Sequence, residues 1–384
     1  MVLLRSAWRR AWPVVALAAV LFGVVAALPG LDPDGTMRLI PPVRKRLARP
    51  AFEVVGVYTP IPAGAWAEAT TATTESLSYA DLSDNPGLID GIIGEWLTVD
   101  AAGQVTEAPD DGPAIGFARS SGLSVWTLAT LRPVDVGTND VSVGTPGYLE
   151  SAGARRALAA RLAAASVARM ADGLVIDLTG LPMGPPAAAQ GIVALVTETK
   201  QALGQGRTLG VVIPSLTAPR EQPYSVDPAA LAAVADWLIL QGWGEHWPSG
   251  TAGPLSGLDW LTDNLGALLA RVAPGQVSLA LPAFGYDWPA GGTGAVRRAG
   301  RDAAALRANP GTGSAEDPKS GETALTYGGG TEGPRRLWYL DGTALTSRVR
   351  LARFHGLRGV VIWRLGEEDP GWWPAIKGAA GPSR

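Results

Sequence analysis

Hydrophobic residues along this chain gather in short β-branched runs, separated by longer stretches where they recur at helical spacing. The runs are 53–58 (EVVGVY), 90–97 (DGIIGEWL), 123–130 (LSVWTLAT), 173–178 (GLVIDL), 208–214 (TLGVVIP), 236–243 (DWLILQGW), 277–284 (VSLALPAF) and 359–365 (GVVIWRL). Runs of this length and composition predict strands. The intervening amphipathic stretches, clearest at 149–170, 186–203 and 256–272, predict helices, and strands alternating with helices predict a parallel sheet. Eight such units predict an α/β fold, a closed (β/α)8 TIM barrel, which typically takes about 250 residues. The body, 51–378, is longer, and its surplus lies mainly at 288–340. With Gly and Pro clusters and the strand-like Leu337-Trp338-Tyr339-Leu340-Asp341, that surplus predicts a small subdomain inserted after the seventh strand.

Ahead of the barrel the pattern changes. Arg5, Arg9 and Arg10 precede an uncharged run from Ala11 to Leu28. Its length falls between the roughly 7–15 apolar residues of a cleaved signal and the about 20 of a spanning helix. Residues 1–29 are therefore expected to be a signal anchor or signal peptide, a membrane segment in the first case. A Pro- and Arg-rich linker, 30–50, follows, and 379–384 form a tail. This arrangement places the barrel outside the cytoplasm, anchored to the inner membrane or secreted after cleavage.

Composition narrows the chemistry. Of 384 residues, 47% are hydrophobic and 17% charged, which suits a well-buried body. A net charge of −3 supplies no basic field, so nucleic acid is not an expected partner. The chain has no cysteine, and His246 and His355 are its only histidines, which leaves no thiolate or clustered imidazole site. No metal and no other cofactor is expected. The Gly-rich 328–333 lacks the strand-to-helix setting of a phosphate loop and reads as a turn.

In a barrel of this type the chemistry is built at the carboxyl ends of the strands. The residues there are Tyr58, Glu95, Asp177, Thr179, Gln241, Trp243, Glu245, Tyr286, Asp287 and Trp363, with Trp247 and Trp288 just beyond. Large aromatic faces suit the apolar faces of pyranose rings, and an indole N–H reaches hydroxyls. Asp177 alone also fits a hydrogen-bonded structural role, and Glu245 fits an ordinary surface loop.

Four stretches carry a resemblance. They are Ala171-Asp172-Gly173-Leu174-Val175-Ile176-Asp177-Leu178-Thr179-Gly180, the run Asp236 to Trp247, Phe284-Gly285-Tyr286-Asp287-Trp288, and the run Gly359 to Pro370. In this order they resemble glycoside hydrolase family 18, the chitinase-like barrels. The third is similar to the spore-cortex-type members, and the last, with Glu95-Trp96-Leu97, to bacterial members associated with exopolysaccharide synthesis. The family carries Asp-Gly-x-Asp-x-Asp-x-Glu at the end of its fourth strand. On that pattern Asp172, Gly173 and Asp177 match, Val175 replaces the middle Asp, and Thr179 replaces the catalytic Glu. Where the family's sixth strand ends Met-x-Tyr-Asp, this chain has Trp243 and Gly244.

The resemblance implies a substrate-assisted mechanism, in which the Glu protonates the leaving oxygen while the substrate's acetamido oxygen attacks the anomeric carbon. The Asp two residues earlier orients that acetamido group. Residues 175, 177 and 179 point the same way in a strand, so Thr179 would face the pocket in place of the acid. The expected function is an exported barrel that binds a β-linked, N-acetylhexosamine-containing polysaccharide with catalysis lost. Asp177 is then a residual catalytic group, and Thr179, Gln241, Trp243, Trp247, Tyr286, Trp288 and Trp363 contact substrate. One alternative is an active hydrolase with the acid relocated to Glu95, Glu245 or Asp287. Another is an envelope scaffold without a glycan role. Envelope polysaccharide-synthesis proteins are the expected protein partners.

Overall fold

The computed structural model describes residues 52–61, 74–109, 111–132, 146–181, 186–217, 226–328 and 333–380. The N-terminal segment 1–29, the linker 30–50 and most of the 379–384 tail lie outside these residues. Among the described residues no helix is long and apolar enough to cross a membrane.

Each predicted run forms a strand. The strands are β1 Glu53–Tyr58, β2 Gly91–Val99, β3 Val105–Glu107, β4 Ser124–Leu131, β5 Gly173–Asp177, β6 Thr208–Ile213, β7 Trp237–Gln241, β8 Val277–Pro282, β9 Phe284–Pro289, β10 Val296–Ala299, β11 Gly313–Glu316, β12 Thr323–Gly328, β13 Pro334–Tyr339 and β14 Gly359–Trp363. Eight of them are parallel, in the order β1-β14-β8-β7-β6-β5-β4-β2, and pairing of β1 with β2 closes the ring. The short β3 adds antiparallel to the far half of β2. Helices Ala152–Ala168, Pro186–Leu203, Leu258–Leu269 and Gly342–Phe354 are among those outside the barrel.

Period-two alternation sorts the side chains. Val57, Ile93, Val175, Ile239 and Val361 pack in the barrel interior, while their neighbours Leu174, Leu238 and Val360 join the layer between strands and helices. The lower interior holds two fully buried indoles, Trp126 and Trp237, with ring centroids 5.5 Å apart. Glycines make the room for them. A Cβ on Gly91 would lie 2.5 Å from the Trp126 ring, and one on Gly210 2.5 Å from Trp237 Nε1.

Three aspartates finish the amino ends of the strands. Asp90 accepts from Val54 N–H at 2.8 Å, Asp172 from Val125 N–H at 2.9 Å and Asp236 from Leu209 N–H at 2.6 Å. Each stands just before its own strand and captures a free donor on the neighbouring one. Asp172, the first acid of the fourth-strand motif, therefore belongs to the end of the barrel that carries stability rather than chemistry.

The run 277–284, expected as one strand, is broken at Ala283, whose N–H donates to Trp363 O at 2.8 Å. Phe284 then starts a second sheet, antiparallel, in the order β10-β9-β13-β12-β11. The insertion expected at 288–340 thus has its sheet over Phe284–Tyr339, with helix Gly300–Arg307 beside it. The alternation of Phe284, Tyr286 and Trp288 with Gly285 and Asp287 signals this strand, but it abuts an apolar run and merges with it by eye.

The glycine at the second position of the motif, Gly173, tests the register directly. A Cβ at Gly173 would sit 2.0 Å from the Thr208 carbonyl oxygen on the adjacent strand, and backbone cannot yield as a flexible side chain does. Gly173→Ala is expected to destabilise by about 3 kcal/mol or more, measured by urea denaturation.

Candidate active-site cleft

At the carboxyl end of β5, Asp177 is 3% exposed and follows Val175 on the inward face. Its Oδ1 accepts two hydrogen bonds from one residue: Thr179 N–H at 2.9 Å and Thr179 Oγ1 at 2.7 Å. Burial raises the Asp177 carboxyl above its usual range, opposed by the two Thr179 bonds and the charge of Arg132. The threonine hydroxyl is thereby committed as a donor to its own neighbour. Val175 is fully buried in the barrel interior, so the position two residues before Asp177 is apolar.

Glu95 is the second carboxylate at this rim. A β-bulge between Gly94 and Leu97 interrupts the pairing of β2 with β4, and bulges re-aim side chains in this way. Glu95 Oε2 accepts from Thr59 Oγ1 at 3.0 Å and from Arg364 Nη1 at 2.7 Å. Burial pushes the Glu95 carboxyl up, while Arg364 and Thr59 pull it down; the charges of Glu367 and Asp177 add smaller upward pushes. Asp177 and Glu95 are therefore electrostatic neighbours, brought together by strands that lie far apart in sequence.

Aromatic rings run across the same rim. Trp243 stands 5.5 Å from Trp363 and 5.8 Å from Phe284 between centroids; Phe284 is 5.5 Å from Tyr286, and Tyr286 5.7 Å from Trp288. Trp363 ends β14 and is 8% exposed, and the peptide bond after it is cis. Gln241 donates through Nε2 to Trp243 O at 2.9 Å, which makes it a brace for the turn that presents Trp243. Gly244, at φ 115°, completes that turn. The barrel supplies Trp243 and Trp363 to this array, and the inserted sheet supplies Phe284 and Tyr286.

Three expected residues serve the architecture instead. Glu245 is tied by Oε2 to the N–H of Gly257, the residue capping helix Leu258–Leu269, at 2.7 Å. Burial raises its carboxyl, with the Gly257 bond and then His246 opposing, and its role is to seat the loop at that helix start. Asp287 is fully buried inside the second sheet. Its Oδ2 accepts from Arg298 Nε and Tyr327 OH, each at 2.6 Å, and its Oδ1 from Arg335 Nε at 3.0 Å. Trp288 is likewise fully buried, with its indole N–H on Gly250 O at 3.1 Å, and so presents no face to a ligand. Trp247 is half-buried against Gly250, outside the run of ring contacts.

Sequence reasoning missed Phe284, Arg297 and Arg364. The Arg297 guanidinium lies 4.1 Å over the Phe284 ring and meets Glu367 through two bonds, at 2.8 and 2.5 Å. Glu367 follows Trp363 by four residues, so this pair clamps the inserted sheet to the rim beside the aromatic floor. Arg364, adjacent to Trp363, was visible in the chain, but nothing local pointed it at Glu95. Among the described residues no cluster of His, Asp or Glu is arranged to hold a metal ion.

This geometry has known counterparts. A chitinase from Chromobacterium violaceum superposes with a TM-score of 0.72 at 22% identity, covering 86% of this chain and 99% of that one. The spore cortex-lytic enzyme SleL of Bacillus cereus gives 0.72 at 15% identity, covering 90% and 77%. The fold is that of the chitinase-like barrels. An Ostrinia furnacalis chitinase domain, solved in complex with an N-acetylated chito-oligosaccharide, gives 0.66 at 18% identity over 86% and 96%. The uncharacterised glycosylase YvbX of Bacillus subtilis is 26% identical over 160 residues, 40% of this chain and 45% of that protein. The chain thus spans less than half the length of that curated relative. No family model matches the chain. The resemblance drawn from the four motifs holds at the level of the fold.

The Asp287 centre is open to test. Asp287→Ala would take the shared carboxylate from Arg335, 11% exposed, and from the half-buried Arg298. Its expected cost is about 3 kcal/mol, toward the lower end for a broken buried pair because Arg298 keeps water contact. Urea denaturation measures it, and Glu245→Ala in the same assay should cost only about 1 kcal/mol, the value of one backbone hydrogen bond.

Proposed function

We propose that this protein is a chitinase-like barrel that binds a β-linked, N-acetylhexosamine-containing polysaccharide in the cleft over Trp363 and has lost hydrolysis. The observation that carries this reading is the alcohol at the acid's position. Thr179 donates its hydroxyl to Asp177 at 2.7 Å, and an aliphatic hydroxyl is far too weak an acid to protonate a leaving alkoxide near neutral pH. General acid assistance is typically worth about 10²–10⁴-fold, and its loss falls on the step that needs it most. Trp243 and Trp363, with Tyr286, supply the stacking surface. The carbohydrate-active character of the structural neighbours supports a sugar ligand. The N-terminal apolar run supports export, with envelope polysaccharide-synthesis proteins as partners.

A second reading keeps catalysis and moves the acid to Glu95. It is favoured by the inward, half-buried position of Glu95 and by the burial that raises its carboxyl. Against it stands Arg364, 2.7 Å away, because a guanidinium at that range favours the charged form, which has no proton to give. Glu245 and Asp287 are engaged elsewhere, as described above.

Calorimetry and a reducing-end assay on chito-oligosaccharides separate these readings. The parent protein is expected to bind without turnover, and Trp363→Ala to weaken binding about 10–100-fold, the loss of a large stacking face. Turnover by the parent that Glu95→Gln abolishes would establish the second reading instead.

A further inference from the structure

Beyond Trp363 the chain turns through Leu365-Gly366-Glu367-Glu368 and meets helix Thr74–Asp84. Gly366 has φ 87°, and a Cβ there would lie 2.5 Å from the Ser78 amide nitrogen, so turn and helix backbone are in direct contact. The single Gly366 N–H donates to two carboxylates, Asp81 Oδ2 of the helix and Glu368 Oε2 of the turn, both at 2.8 Å. Glu368 is buried, and its Oε1 has no hydrogen-bond partner among the described residues.

Surrounding charges do not relieve the pair. Within the turn, Glu367 is taken up by Arg297, and Asp369 Oδ1 accepts from Gly371 N–H at 2.7 Å. On the helix side the neighbouring polar group is Ser78, whose Oγ accepts from Thr59 N–H at 3.1 Å. Among the described residues neither Asp81 nor Glu368 forms an ion pair with a cation. Two carboxyl groups sharing one donor, with Glu368 buried, Asp81 half-buried and neither given a counter-ion, cannot both stay ionised at small cost. Burial, then the Asp81 charge and a hydrogen bond with Asp81, push the Glu368 carboxyl well up.

We propose that Asp81 and Glu368 share one proton, and that this proton latches helix Thr74–Asp84 to the turn behind the cleft floor, loosening the rim when it leaves. The latch stands next to both partners of Glu95. Ser78 holds Thr59, which donates to Glu95, and Arg364, two residues before Gly366, holds Glu95 from the other side. Trp363 precedes Arg364, so the stacking surface is attached to the same turn. The sign follows from linkage. A carboxyl whose folded pKa is raised stabilises the fold fully below the ordinary carboxylate range, and that contribution is lost as the pH climbs through the raised value.

The coupling to ligand rests on the sugar-cleft reading; the shared proton does not. Infrared difference spectra of the full chain against Glu368→Gln and Asp81→Asn test the proton. Both substitutions keep size and hydrogen-bonding capacity, and either one suffices if the other fails to fold. At neutral pH the difference between the parent and each variant is expected to contain a protonated-carboxyl band. The parent's thermal stability should fall as the pH climbs above the ordinary carboxylate range, and the substitutions should flatten that fall. A difference spectrum without that band, or a pH dependence the variants leave unchanged, overturns the latch. In calorimetry with chito-oligosaccharide, the Kd of the parent should rise about tenfold over the same range, the effect of one pKa unit, and stay level in Glu368→Gln. A level Kd in the parent, with the band present, overturns the coupling to the cleft. Absence of sugar binding at every pH overturns the sugar reading, and the infrared result still decides the proton.

Discussion

Glu53 and Arg358 meet at the seam where the first and last strands of the barrel join. Arg358 Nε lies 2.6 Å from Glu53 Oε2, and its guanidinium stacks 4.1 Å from the Trp237 ring in the barrel interior. Beside them Gly359 pairs with Glu53, and a Cβ at Gly359 would come within 1.9 Å of the Glu53 carbonyl oxygen. Closure depends on this contact, in which a buried charge is paired and two backbones approach as only glycine allows. Once the ring is closed in that register, the carboxyl ends of all eight strands share one rim. Asp177, Glu95, Trp243 and Trp363 then become neighbours without any local signal in the sequence to bring them together.

The rim shows how one residue type serves two ends. Carboxylates at the lower end of the barrel capture free backbone donors, as Asp90, Asp172 and Asp236 do. Carboxylates in the insertion and its loops hold elements in place, as Asp287 does between two arginines and Glu245 does at a helix start. What remains facing the cleft is Asp177, occupied by Thr179, and Glu95, occupied by Thr59 and Arg364. Every one of these acids is engaged by a donor.

The rim is also assembled from segments that must stay docked. The inserted sheet is clamped by Arg297 and Glu367, and the helix before β2 by the Gly366 contact with Asp81 and Glu368. Both attachments use residues of the short turn after Trp363. A change in that turn therefore reaches the stacking floor, the Glu95 partners and the insertion together, which makes the turn the mechanical centre of the cleft.

The barrel was legible in the chain alone. Eight runs with period-two alternation have few architectures that bury them, and the same alternation aims residue 177 inward wherever the strand lies. The chemical identity of residue 179, an alcohol and not an acid, is likewise plain in the chain. Tertiary structure decided which acids were available, because partners for Asp287, Glu245 and Glu95 come from 11 to 269 residues away. It also decided where the insertion begins, since Phe284 reads as the end of one strand until its antiparallel partners on β10 are in place. Alternation is a local property that one strand carries alone, whereas the occupation of a carboxylate depends on which distant donors the closed ring brings within reach.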